Sequence, residues 1–145
     1  MGFTTNLLTA AGEYLDRENV GAWRPPPLKY LVTDVAITVD ELHPTNDKSI
    51  ALATYPVQDD SGTDSVVAIQ LWVRGAPNNR AGAKDIADRA YDALHDLERV
   101  TWGGIPIVRI WRQSEANHGL DANKRQEISA NYYLQLTRTG THRRD

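Results

Sequence analysis

The chain has no cysteine. Disulfides, thiolate nucleophiles, thiolate zinc ligands and iron–sulfur clusters are all excluded by that absence, while the compartment stays open. Positive charge is not in excess either: 16 Lys and Arg against 19 Asp and Glu give a formal net charge of −3, so the whole molecule offers no cationic field for gripping phosphates. Tight nucleic-acid binding is not expected. No apolar run approaches the roughly 20 residues needed to span a bilayer, and no membrane partner is expected. The start, MGFTTNLLTAAGEYL, lacks the basic beginning and apolar run of a signal peptide, so secretion is not expected. Gly2 is present, but Asn6 stands where a myristoylation signal needs Ser or Thr.

What the chain does contain is ordinary globular material. Its 145 residues, 41% hydrophobic and 24% charged, suit one domain with one core, and we take 1–145 as a single unit. Leu7, Leu8, Ala11, Tyr14 and Leu15 recur at helical spacing, with Thr4 or Thr5 as the expected cap, giving an N-terminal helix within 1–20. Gly21 and the run Pro25, Pro26, Pro27 forbid helix and disfavour a central strand, so 21–34 is read as a stiff extended connector. A sheet-plus-helix region, 35–137, follows.

In that region, Val35, Ile37 and Val39 alternate with polar or small neighbours, and SIALATY (Ser49 to Tyr55) forms a second strand before Pro56. VVAIQLWVRG, Val66 to Gly75, is apolar on both faces and is placed centrally. Gly75 to Asn79 break it and supply a cap for a long helix, whose apolar face is Ala83, Ile86, Ala87, Ala90, Tyr91, Leu94 and Leu97. Ile105 to Arg112 and Glu127 to Thr137 read as two strands of a long C-terminal hairpin, with Gln113 to Gln126 as its polar, charged loop. The segment 138–145, with Arg138, His142, Arg143 and Arg144, is a basic tail, expected to be frayed. The fold class expected is α+β: a mainly antiparallel, mixed sheet packed against the long helix, with the first helix beside it.

The loop GAPNNRAGAK, Gly75 to Lys84, joins strand to helix as a phosphate loop does, but no register places its Gly and Lys at the required spacing. A plain capped turn is the better reading. Asp59, Asp60 and Asp64 form an acidic turn without the terminal Glu of a calcium loop. His43, His95, His118 and His142 never fall at metal-ligand spacing; His118 with Asp121 is the pair worth naming, and no metal or cofactor is expected. Ser114 lies near Glu115 and His118, yet no GxSxG elbow surrounds it. An enzyme is not expected, and a small hydrolase or ligand-binding domain using Ser114, Glu115, His118 and Asp121 is kept as the alternative. Trp72 with Arg74, and Trp111 with Arg112, combine residue types enriched at protein–protein contacts. The competing reading is that they plug the sheet ends as core.

The ordered set SIALATYP, VVAIQLWVRG, AKDIADRAYDAL and VRIWRQSEANHGLDANKRQEISANYYL, within Leu7 to Leu136, resembles the tail terminator, or minor capsid, proteins of long-tailed bacteriophages. The resemblance implies a structural assembly protein that forms a ring, expected to be a hexamer, at the head-proximal end of the tail. It would end polymerisation of the tail tube protein and join the tail to the head–tail connector or head-closure protein, with phage DNA passing through the lumen. Its place would be the neck of the virion, after assembly in the host bacterial cytoplasm. Trp72, Arg74, Trp111, Arg112, Gln113 and Glu115 are the expected subunit or partner contacts. Another neck component, a tail-completion or head-closure protein, is the alternative within the same class.

Overall fold

The computed structural model describes residues 2–143. Two helices, α1 (Phe3–Arg17) and α2 (Arg80–Leu94), accompany seven strands: β1 (Ala22–Trp23), β2 (Ala36–Val39), β3 (Ser49–Asp59), β4 (Asp64–Pro77), β5 (Glu98–Trp102), β6 (Ile105–Leu120) and β7 (Arg125–Thr137). The strands form one mixed sheet in the order β1-β2-β3-β4-β7-β6-β5. β1, β2 and β3 run parallel to one another, and the remaining neighbours are antiparallel. β1 and β5 are additions to the five strands expected. They are short edge pieces with little alternation, and so leave little periodic signal.

The central position of β4 follows from its composition. Val67, Ile69, Leu71 and Val73 alternate onto one face and join Leu7, Leu15, Ile86 and Ala90 in the core. At roughly 1.5–3 kcal/mol for each large apolar side chain fully buried, this face is what orients the sheet. Both helices lie on it: a small void at the centre is walled by Leu15 of α1, Leu94 of α2, Ile69 and Leu71 of β4 and Tyr132 of β7. The Tyr14 hydroxyl donates to the Ala93 carbonyl at 2.6 Å, tying α1 to the end of α2. No helix among the described residues covers the opposite face, where Tyr55, Gln70, Trp72, Trp111 and Tyr133 stand. That face of β4 is therefore covered by neighbouring side chains, not by a second layer.

Helix ends depart in part from expectation. α1 starts at Gly2 without a side-chain cap, so neither Thr4 nor Thr5 performs that role. α2 is capped as its loop suggests: Asn79 Oδ1 accepts from the Gly82 amide at 3.0 Å, a contact worth about 1 kcal/mol. α2 has 15 residues, the same length as α1. Gly75 is required because a Cβ there would lie 2.8 Å from the Ala83 amide nitrogen, where β4 passes under α2. Gly12 lets α1 sit on the Trp23 ring, whose atoms come within 2.3 Å of where a Cβ would be.

Two segments differ more substantially. The expected loop Gln113 to Gln126 is mostly strand: β6 continues to Leu120 and β7 begins at Arg125, leaving a turn of four residues. Bulges between Ile107 and Arg109, Arg112 and Ser114, and Asn117 and Gly119 each shift the register of the long strand against β7. The polar segment QSEANHGL forms strand because β7 pairs its backbone, although it has no apolar face to announce itself. The expected frayed tail is anchored over its described part. Arg143 donates to the Gly62 and Asp64 carbonyls at 2.6 and 2.9 Å and to Asp59 Oδ1 at 3.1 Å, and Arg138 lies over the Phe3 ring. Arg144 falls outside the described residues.

Candidate assembly surface

The residues expected to make contacts divide into two groups. Trp111, Arg112, Gln113 and Glu115 all belong to β6. The Trp111 indole meets Tyr133 edge-on at 6.0 Å, with the Arg109 guanidinium 5.2 Å from its centre. Arg112 lies 4.4 Å over the Tyr91 ring and pairs with Glu115 at 3.5 Å; Gln113 is exposed. Trp111 thus stands on the face away from the helices, whereas Arg112 and Glu115 lie on the helix side of β6, beside α2.

Trp72 and Arg74 are set deeper. Trp72 Nε1 donates to Glu127 Oε1 at 2.5 Å, and its ring stacks on His118. Arg74, only 7% exposed, turns away from solvent and donates to the carbonyls of His43, Asn46 and Asp47 at 2.8, 2.5 and 2.8 Å. A guanidinium has five donors in a rigid fork, and here it converges on main-chain oxygens, moulding the 43–47 loop. Burial lowers its affinity for the proton, as does nearby Arg125. Sequence reasoning reads an Arg at a strand end as surface; only the fold reveals an inward clamp.

The Ser114, His118, Asp121 cluster is not brought together. Ser114 Oγ accepts from Asn131 Nδ2 at 3.0 Å, in a polar ladder that continues from Asn131 Oδ1 to Gln70 and Tyr55. The His118 ring shares a 2.7 Å hydrogen bond with Ser129. Asp121 accepts from the Arg125 amide and guanidinium at 2.9 and 2.8 Å. Burial raises the Asp121 carboxyl pKa, but the Arg125 and Asn123 hydrogen bonds prevail and leave it lowered. A nucleophile needs its base within hydrogen-bond reach, and Ser114 is committed elsewhere. Asp59 of the acidic turn is likewise held down, first by the Ser65 hydroxyl and then by Arg143.

A groove of about 650 Å³ at the β1–β2 edge went unnoticed in the sequence. Trp23, Pro25, Pro26, Tyr30 and Val39 line it, with Leu28 at its rim 62% exposed. The Pro26–Pro27 peptide bond beside it is cis. The proline run signals a connector, but nothing in its pattern marks a concavity.

The arrangement defines a class: an α+β domain with a one-sided helix layer, a long strand bearing exposed aromatic and charged side chains, and no assembled reaction centre among the described residues. The family model described as bacteriophage tail terminator protein matches residues 14–138, and the chain belongs to that family. It is accordingly a structural protein of a phage tail, part of the virion. Among solved structures, a chain from the virion of a native gene transfer agent particle shares the fold, with a TM-score of 0.59 and 15% identity over 73% of this chain and 81% of that one. No curated protein matches.

Proposed function

We propose that the chain is the subunit of a ring, six copies in number, that caps the head-proximal end of the phage tail. The ring ends polymerisation of the tail tube protein, joins the tail to the head–tail connector or head-closure protein in the neck, and lets DNA through its lumen without holding it. Membership of the tail terminator family over residues 14–138 is the observation that carries this reading. The net charge of −3 supports a conduit that lets DNA slide, because a strongly cationic lining would retain it. Assembly takes place in the host cytoplasm, before incorporation into the virion. We assign Trp111, Arg112, Gln113 and Glu115 to subunit contacts, with Trp72 and Arg74 as supports that hold His118 and the 43–47 loop in place behind them.

The test is negative-stain microscopy and native mass spectrometry of the purified protein, followed by its addition to polymerising tube protein. Closed rings that halt tube growth are expected. A protein that stays monomeric at every concentration, or tubes that lengthen regardless, would sink the proposal. Arg112→Glu should abolish rings while preserving the monomer's circular dichroism, since the new carboxylate would face Glu115.

A further inference from the structure

Two strands extend beyond their neighbours. β3 has β2 beside it only from Ser49 to Leu52; from Ala53 to Asp59 it has β4 on one side and, among the described residues, no strand on the other. β6 has β5 beside it only as far as Arg109, after which Ile110 and Arg112 find other partners in Leu97 and His95. From Gln113 to Leu120, β7 is the one strand paired with it among the described residues. In both places the alternation of burial lapses: Tyr55 to Asp59 are all exposed, as are Glu115 to His118. A strand with exposed side chains and one open edge gains little from its own chain, and an unpaired edge is a template for another strand.

The two overhangs fit each other. Ala53, Gln70, Asn131 and Ser114 lie at one level across β3, β4, β7 and β6. From that level the free part of β3 runs towards one end of the sheet and the free part of β6 towards the other. β2 fills the corner beside one overhang and β5 the corner beside the other, so the sheet has a stepped outline at diagonal corners. Three antiparallel pairings separate β3 from β6, so the two strands run in opposite directions. A second copy set head to tail therefore presents its β6 antiparallel to β3. Of the eight large apolar side chains left exposed, Val39, Tyr55, Val57 and Leu120 border these two edges. The acidic end at Asp59 and Asp60 falls beside the Arg112 end of the incoming strand.

We propose that Ala53–Asp59 of one copy pairs with Gln113–Leu120 of the next, making the sheet continuous from subunit to subunit. The proposal rests on the ring reading and deepens it. The contact is heterologous, the kind that closes rings. It staggers neighbours by about 20 Å along the strands for about 19 Å across four strands, so the strands lean roughly 45° from the ring axis, near the tilt of closed barrels. Pro56 removes one amide from the β3 edge and guards it against indiscriminate pairing.

Because the chain has no cysteine, introduced thiols report directly. Tyr55→Cys is combined in turn with Ser114→Cys, Ala116→Cys and His118→Cys, all on the face away from the helices. Within one copy these positions are at least three strand spacings apart, about 14 Å, beyond the reach of a disulfide. Under mild oxidation at least one pair should give a ladder of covalent oligomers ending at the ring's copy number. Rings visible by microscopy with no intersubunit disulfide from any pair would overturn this inference and leave the ring reading standing. Monomers throughout would overturn both. Asn117→Pro should block ring closure, whereas Asn117→Ala, which keeps the amide, should not; rings that persist with proline also count against strand pairing.

Discussion

The Trp72 indole lies flat against the His118 imidazole, ring centres 4.2 Å apart and planes 16° from parallel. This contact joins the central strand β4 to the outer strand β6 across β7, and Ser129 of β7 fixes the imidazole by its hydrogen bond. His118→Ala should red-shift Trp72 fluorescence by admitting water, and should cost about 1 kcal/mol in thermal unfolding. An unchanged emission spectrum would show that the stack does not shield the indole.

Tyr132 offers a contrasting case. Its ring is 1% exposed, and its hydroxyl is buried without a hydrogen-bond partner. Burial pushes its pKa far up, so it stays protonated throughout the ordinary range. An orphaned buried hydroxyl costs about 1–3 kcal/mol, and removing it leaves the aromatic packing intact. Tyr132→Phe should therefore raise the melting temperature by about 2–4 °C, as read by calorimetry. A lower melting temperature would indicate that the hydroxyl has a partner in solution.

Arg74→Met keeps much of the side chain's volume but leaves the carbonyls of His43, Asn46 and Asp47 without their donor. Losing these charge-assisted bonds should destabilise the protein by about 3 kcal/mol. Hydrogen exchange should rise first in residues 43–47. Arg74→Lys should recover only part of the loss, because an ammonium cannot reproduce the guanidinium fork.

Acid should weaken the fold through Asp59 and Asp121, whose carboxyls both titrate below the usual range. A lowered folded pKa means that the unfolded chain takes up the proton first as pH falls. The stabilisation is complete above the unfolded value, near 4, and is lost as pH drops through the folded values beneath it. Melting temperatures measured from pH 6 to pH 2 should fall most steeply below about pH 4, and Asp121→Asn should flatten that decline. A wild-type profile that stays level through that window would contradict it.

The parts of the fold legible in the sequence are those where burial imposes a period. Val67 to Val73, the Ala83 to Leu94 stripe and the alternation from Ile128 to Leu136 each bury one face, and each is found where its pattern puts it. The far half of β6 was illegible because Glu115 to His118 are all exposed, so no alternation of apolar and polar residues marks the strand. β1 and β5 hide for a related reason: an edge strand of two or five residues is specified by its neighbours' hydrogen bonds more than by its own side chains. At the candidate surface, the adjacency of Trp111, Arg112, Gln113 and Glu115 in the chain does not reveal that Trp111 and Arg112 point to opposite faces of the sheet. Nor is the inward turn of Arg74 legible, since nothing local distinguishes a guanidinium facing solvent from one facing the carbonyls of a loop about thirty residues earlier in the chain.

That guanidinium touches only main-chain oxygens, which every residue type carries. The exposed side chains of Pro44 and Thr45 are thus free to change, while Arg74, the His43 ring, the Asn46 amide and Ser49 together hold the path of the backbone. Related phages facing different neighbouring proteins could rewrite the lettering here without recasting the plate.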